Sequence, residues 1–434
     1  MKKHNPWSWI PTLYFAEGLP YVAVMTISVI MFQRFGMSNS DIALYTSWLY
    51  LPWTIKFVWS PFVDLIKTKR WWIVIMQLII GACLGGVALS LPTPHWFQFS
   101  MTFFWLMAFS SATHDIAADG FYMMGLNDKD QAFFVGIRNT FYRLAMISGQ
   151  GLLIILAGKL EEMQLPKFAE DMGNIPFAWM ITFLLMGVMF LGFSLYHKFM
   201  LPKPDSDIPN PSRSAGEIFR EFWLTFVSFG KKRYSVLAIF FILFYRFSEA
   251  QLLKISPLFL LDNREAGGLG LSTASVGTIY GVVGVVALIA GGILGGIVIA
   301  KGGLRKWIWP MVLCMCMPNL TSIYFAYFQP ESLWLINAGV AFEQIGYGFG
   351  FTAYTMFMIH FCKGEHKTAH YAICTGIMAL GMMIPGMFSG DIQEWIGYKH
   401  FFIYVMICSI IPILLVSLVH PILEKQQQKT LNQE

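Results

Sequence analysis

The sequence predicts an all-α membrane protein, with twelve transmembrane helices in two six-helix halves. Three observations lead there. Of 434 residues, 56% are hydrophobic and 13% charged, whereas a soluble chain carries roughly a quarter charged residues. The mean hydropathy is +0.57. Apolar runs of about 20 residues, enough to cross a bilayer, recur along the whole chain. Glycine, proline and short polar turns separate them.

Taken in order, the candidate spans lie near 7–32, 40–62, 71–91, 96–126, 131–158, 177–199, 236–261, 272–300, 307–328, 331–361, 369–390 and 400–420. The longest allow tilt. The longest polar connection is 201–234. Its Pro/Ser/Asp-rich start reads as a linker, and its EIFREFWLTF portion is amphipathic enough to lie on a membrane surface. It divides the chain into an N-terminal bundle (1–200), a cytoplasmic linker (201–234), a C-terminal bundle (235–420) and a tail (421–434). Basic residues cluster in alternate loops: Lys67, Lys69 and Arg70; Arg213, Arg220 and Lys231 to Arg233; Lys301, Arg305 and Lys306; Lys363 and Lys367. The other loops hold only Arg34, Lys159, Lys167, Arg264 and Lys399. By the positive-inside rule both termini are expected in the cytoplasm, with the chain in the inner membrane. No cleavable signal peptide is expected, because the first apolar run is long and lacks a small-residue cleavage site.

The formal charge of +5 sits in membrane-flanking loops and does not point to nucleic acid. The six cysteines (83, 314, 316, 362, 374, 408) fall mostly inside apolar runs with no disulfide framework. Small apolar fillers are the expected role; Cys314 and Cys316 alone are too few for a metal. His360, His366 and His370 read as interfacial. No nucleotide-binding loop, GxSxG elbow or zinc motif occurs, so no metal, cofactor or hydrolytic chemistry is expected.

The stretch 105–151 carries the strongest functional signal. It reads as two apolar helices joined by a turn at Asn127 to Gln131. His114, Asp115 and Asp119 lie on the first arm, Arg138 and Arg143 on the second. A charge near a bilayer centre costs at least a few kcal/mol, so intramembrane ionisable residues are functional candidates. Counting from the turn at ~1.5 Å per residue, Asp115 matches Arg143 in depth and Asp119 matches Arg138. Two ion pairs are therefore expected: for the shallower, a structural lock stands beside a transport role, and for the deeper a transport role is favoured. Asp115 and Asp119, four apart, share a helix face.

Other spans add candidates. Glu17 lies roughly 15 Å into the first span, followed by Gly18 and Pro20, as a proton carrier, a cargo contact or a partner for Lys56. The seventh span holds Arg246 and Glu249, spaced to pair, then Gln251, Lys254 and Pro257. The tenth holds Glu343 and Gln344 as cavity candidates, with Gly346, Gly348 and Gly350 for close helix packing. Tyr142, Tyr245, Tyr347 and Tyr354 suit sugar stacking or aromatic core. The two halves repeat weakly. Lys69-Arg70-Trp71 recurs as Arg305-Lys306-Trp307 and Ile147-Ser-Gly as Ile384-Pro-Gly. The charges break the repeat: Asp115, Asp119 and Arg143 align with Phe351, Thr355 and Ala379.

The repeat resembles that of a major facilitator fold. The loop SPFVDLIKTKRWW resembles that superfamily's loop signature, which implies a cytoplasmic latch of Asp64 with Lys67, Lys69 and Arg70. FAEGLP, LPWTIKFVWSPFVD, HDIAADG, YRLAMISGQG and FEQIGYGFG…HYAICTGIMALG together resemble the AmpG-type muropeptide permeases. That branch also contains acetyl-CoA transporters, with a similar DI-A-x-DG run. The resemblance implies proton-driven import of N-acetylglucosaminyl-anhydromuramyl compounds recycled from the cell wall. It places Asp115, Asp119 and Arg143 at the family's charged hairpin positions. The sequence departs in having only twelve spans and Gly120-Phe121 where those permeases tend to have Ala-Trp.

The expected function is secondary active transport by alternating access. The cargo and proton pathway comprises Glu17, His114, Asp115, Asp119, Arg138, Tyr142, Arg143, Arg246, Glu249, Lys254, Glu343 and Gln344, and the chain works as a monomer. Two alternatives stand beside it. One is a carrier of acyl-CoA or another anionic metabolite. The other is a non-transporting sensor or a membrane enzyme. His114-Asp115 superficially suits an acyltransferase, but adjacent helical residues point about 100° apart.

Overall fold

The computed structural model describes residues 5–204, 207–208, 215–362 and 367–431. Arg213, Lys363 and His366, and the side chains of Asp64 and Lys367, lie outside the described residues. Among the described residues the chain is helical, without strands. Helix 1 runs over Pro6–Arg34, helix 3 over Lys69–Ser90, helix 4 over Trp96–Gly125, helix 6 over Asn174–Met200 and helix 7 over Ser235–Leu261. Helix 2 spans 39–66 in pieces, and helix 5 spans 128–161. Thr273–Phe328 contains helices 8 and 9, Leu333–Phe361 is helix 10, and His370–Pro421 covers most of helices 11 and 12. Seven of these stretches are long and apolar enough to cross a membrane. Two of the seven each hold two successive helices, parted at Gly303 (φ 74°) and Gly397 (φ 73°). Both breaks need a left-handed backbone that glycine adopts without strain.

Helix irregularities follow the sequence. Proline divides helix 2: Asn39–Trp48 is followed by Leu51–Ile55, with Pro52 in its first turn, and by Ser60–Ile66, with Pro61 in its first turn. Each ring lacks an N–H and suits a helix start rather than a helix middle. Wide π-type turns occupy Ala23–Ile27 after Pro20, Ile147–Leu153 and Gly277–Gly284. In helix 7 the break is not at Pro257, which sits inside a continuous helix. It falls at Tyr245 and Arg246, between Ser235–Phe244 and Phe247–Leu261.

The chain divides into two compact units. The first holds Met1–Gly36, Leu49–Phe219 and Ser272–Gly281. In it helix 3 packs on helices 4 and 6, helix 1 on helix 5, and the start of helix 8 along helix 5. The last seam is glycine-lined. A Cβ on Gly281 would stand 1.9 Å from the Gln150 carbonyl oxygen, and one on Gly158 2.3 Å from the Ala274 nitrogen. The second unit holds Met37–Trp48, Arg220–Leu271 and Val282–Glu434. Here helix 10 packs on helices 8 and 9, and the first piece of helix 2 lies along helix 11. A Cβ on Gly390 would stand 2.2 Å from the Asn39 carbonyl oxygen. Gly346, Gly348 and Gly350 are packing residues: added Cβ atoms would meet Cys314 O, Leu288 O and Met315 Cβ at 2.0, 2.2 and 2.5 Å.

The linker contains the helix Ala215–Gly230, with Trp223 and Leu224 exposed. Upstream of it, Asp207 accepts hydrogen bonds from the backbone N–H of Lys69 (2.7 Å) and Arg70 (3.1 Å), capping helix 3. The Arg70 guanidinium donates to the carbonyls of Leu201 (3.3 Å) and Lys198. The Arg70 guanidinium and the backbone N–H groups of Lys69 and Arg70 thus tie the start of the linker to helix 3.

Candidate transport site

In the first unit the charges of helices 1, 2, 4 and 5 converge. Arg138 Nη1 lies 3.1 Å from Asp119 Oδ1 and donates to the Tyr14 hydroxyl at 3.0 Å. Tyr14 donates in turn to Asp119 at 3.4 Å. The guanidinium also stacks over the rings of Tyr14 (4.7 Å) and Tyr122 (5.0 Å), so its flat faces meet π electrons while its edge meets the acid. The expected shallow pair is present, with Tyr14 as an added bridge.

The expected deep pair is absent. Asp115 Oδ2 takes the Lys56 ammonium at 3.7 Å and the Trp53 indole N–H at 3.2 Å, both from helix 2. Arg143 makes no hydrogen bond or ion pair among the described residues. The reason is rotational. Asp115 and Asp119 are four apart and share a face, but Arg138 and Arg143 are five apart and point roughly 140° from each other at 100° per residue. Depth matching alone does not make a pair. Lys56 reaches Asp115 from the short 3₁₀ turn Lys56–Val58, where helix 2 is broken.

Several carboxylate oxygens are left over. Asp115 Oδ1 and Glu17 Oε2 are buried and accept no hydrogen bond among the described residues. The charged neighbours of Glu17 are Asp119, Asp115, Arg138 and Lys56. Tyr142 faces the same group, with Tyr21, Asp115, Glu17 and Asp119 around its hydroxyl. Helices 1 and 5 approach closely here at Gly18, where an added Cβ would stand 2.9 Å from Ala145 Cβ and 3.0 Å from the Tyr142 carbonyl oxygen. Gly120 accommodates the Lys69 side chain; a Cβ there would lie 2.4 Å from Lys69 Cε.

His114 belongs to a different network. It is 1% exposed, and its Nε2 lies 3.0 Å from the Gln77 amide nitrogen. Gln77 Oε1 lies 2.8 Å from His197 Nδ1, whose Nε2 lies 2.9 Å from the Thr12 hydroxyl. One assignment satisfies the chain: Gln77 donates to His114 and accepts from His197, and His197 accepts from Thr12. Helices 1, 3, 4 and 6 are joined by it.

The second unit places Arg246 at the break of helix 7 (φ −106°), where the i, i+3 register expected with Glu249 does not apply. The guanidinium turns to helix 10 instead. It donates to the Tyr347 hydroxyl and stacks over Tyr347 (5.0 Å) and Phe351 (5.1 Å). Glu249 is 1% exposed and neither of its carboxylate oxygens accepts a hydrogen bond. Glu343 and Arg246 are its charged neighbours. Glu343 accepts from Ser322 (3.3 Å) and Gln344 (3.4 Å). Lys254 lies apart from this group, donating to Thr46 at 2.9 Å. Tyr245 and Tyr354 are core: they stack 5.1 Å apart and donate to the carbonyls of Gly350 and Ile242.

Two polar clusters have no forerunner in the sequence reading. In the first unit Glu161 accepts from Arg34 Nε (3.1 Å), Trp179 (2.9 Å) and Thr273 (2.8 Å). In the second, the Asn39 amide nitrogen lies 2.7 Å from Gln393 Oε1, 2.9 Å from the Tyr398 hydroxyl and 3.2 Å from Asp262. Their members are scattered over more than a hundred residues each, so no local pattern announces them.

The Major Facilitator Superfamily model matches residues 12–384. The chain is 22% identical over 422 residues to the anhydromuropeptide permease of Escherichia coli K12, covering 94% of this chain and 78% of the permease. It is 22% identical over 414 residues to a Rickettsia conorii protein provisionally named transporter AmpG 4, covering 91% of each. An uncharacterised Haemophilus influenzae protein is 23% identical over 430 residues, covering 96% of this chain and 94% of that one. Among solved structures, a bacterial homologue of the human lysosomal transporter Spinster, inward-facing and unoccupied, superposes with a TM-score of 0.70 at 15% identity over 95% of both chains. A D-xylose–proton symporter gives 0.66 at 12% identity, again over 95% of both. A match over most of the chain, with the same fold, settles the family: this protein belongs to the Major Facilitator Superfamily and is a multi-pass membrane transporter rather than an enzyme.

Proposed function

We propose that the protein imports anhydro-muropeptides, or related amino-sugar compounds, by proton-coupled alternating access. Both termini are placed in the cytoplasm and a single chain is the working unit. The carrying observation is the set of buried carboxylate oxygens without hydrogen-bond partners on Glu17, Asp115 and Glu249. A buried ionised carboxylate without a full set of partners is costly, and taking up a proton relieves that cost. These acids are suited to bind and release protons as water reaches them. Arg143 makes no ion pair among the described residues and offers its guanidinium to a cargo carboxylate in bidentate fashion. The aromatic rings beside the acids, Tyr14, Trp53 and Tyr142, suit the faces of a sugar.

The test is uptake of labelled N-acetylglucosaminyl-anhydro-N-acetylmuramic acid into vesicles holding purified protein, with and without an imposed proton gradient. Gradient-driven uptake is expected from the wild type, and Asp115→Asn is expected to lose it while still inserting. Unchanged uptake by that variant rejects Asp115 as the coupling acid. An acyl-CoA cargo is the weaker reading, because Arg246 and Lys254 are already engaged with Tyr347 and Thr46. Competition by acetyl-CoA against the labelled sugar distinguishes the two.

A further inference from the structure

Cys362 caps the end of helix 10, and Cys374 lies about two turns into helix 11. Their sulfurs are 3.4 Å apart, and both side chains are buried. A disulfide requires about 2.05 Å, so closure asks for little more than ~1.4 Å of approach. The surroundings favour the chemistry. The contact between the two sulfurs, together with the nearby Lys232 ammonium, favours the Cys362 thiolate. Lys232 is itself fixed, donating to the carbonyl of the preceding residue Phe361 at 2.8 Å. The end of the linker helix docks at the same place. Ser228 lies 2.8 Å from His370 Nε2, and Phe229 packs edge-on against Phe361 (5.4 Å) and His370 (5.5 Å).

We propose that Cys362 and Cys374 are a reversible dithiol switch, closed to a disulfide by a small hydroperoxide, which staples helix 10 to helix 11 and arrests transport. The Cys362 thiolate attacks the peroxide, the O–O bond breaks, and sulfenic acid forms with release of the alcohol or water. The Cys374 thiol then attacks the sulfenic sulfur and expels water. The two thiols lose two electrons and two hydrogens; the peroxide gains them. In the proposed topology this end of helices 10 and 11 faces the cytoplasm, where thiols are ordinarily kept reduced, so a pair held ready for closure suits transient oxidation rather than permanent cross-linking. The four remaining cysteines are expected to stay unlinked.

The decisive measurement is mass spectrometry of the whole purified protein treated with hydrogen peroxide, alkylated with iodoacetamide and digested. A linked 362–374 peptide, two hydrogens lighter and resolved by dithiothreitol, is the expected result. Recovery of both residues as alkylated or sulfinic forms without the link overturns the dithiol. In vesicles, peroxide is expected to abolish uptake, and dithiothreitol to restore it. Cys374→Ser, with Cys362→Ser as a second variant, is expected to keep uptake under peroxide. The arrest rests on the transport reading above, whereas the cross-link does not. Linked peptide with undiminished uptake overturns the switch, and absence of uptake before any treatment overturns the cargo or transport reading and leaves the mass result to decide the dithiol.

Discussion

At Asp115, losing the acid and losing its base are unequal events. The carboxylate is only 14% exposed, and Lys56 is its ion-pair partner. Lys56→Met removes the partner and leaves the acid with the Trp53 indole, so the unfolding temperature is expected to fall. The double variant Lys56→Met with Asp115→Asn is expected to regain most of that, since both members of the pair are then gone. Thermal unfolding in detergent measures both. Asp119 differs: its side chain is 45% exposed, so its ion pair with Arg138 contributes about 0.2–1 kcal/mol. Asp119→Asn is therefore expected to unfold at nearly the wild-type temperature, and a large loss of uptake in that variant marks a transport role. Gln77→Leu strips hydrogen bonds from two buried imidazoles at once, at about 1–3 kcal/mol per unsatisfied group. It is expected to lower the unfolding temperature more than Asp119→Asn does.

At the scale of the element, glycine decides where helices touch. Gly281 meets the Gln150 carbonyl so closely that a methyl group has nowhere to go, and the obstacle is backbone. Gly296 has nothing within 4 Å. Gly281→Ala is expected to push helix 8 off helix 5, seen as a fall in unfolding temperature. Gly296→Ala is expected to leave it unchanged or slightly raised, because alanine favours the helix. Gly120→Ala meets only the flexible end of Lys69 and is expected to be tolerated. Helix positions were legible from the sequence, since they depend on apolar run length, whereas the break of helix 7 at Tyr245 and Arg246, away from Pro257, was not. The Asp119–Arg138 pair was legible, since its partners sit on neighbouring arms of one hairpin. The Asp115–Lys56 pair was not, because helix 2 contributes Lys56 only where proline divides it. The turn of Arg246 toward Tyr347 escaped for the same kind of reason: spacing arguments assume a continuous helix, and the backbone departs from one there. The Gln77–His197 relay joins residues far apart in sequence, each of which looks unremarkable among its own neighbours.

At the scale of the whole molecule, neither unit is made from one half of the chain. The first takes Ser272–Gly281 from beyond the linker, and the second takes Met37–Trp48 from before it. Fragments 1–200 and 235–434 expressed separately are thus each expected to lack a piece of their unit and to be degraded. Expressed together they are expected to accumulate in the membrane, detected by immunoblot. There is a temporal side to this exchange. The ribosome finishes the sixth helix well before it reaches residue 272, so during synthesis the groove along helix 5 stands open to lipid or to the insertion machinery. Asn39 to Trp48, made among the first, must wait almost until the chain ends for helix 11 to arrive. Assembly of this protein is therefore completed in steps, the first unit only after residue 281 and the second only near the end of the chain, and a translational pause between helices 6 and 8 leaves two unfinished surfaces rather than one finished bundle.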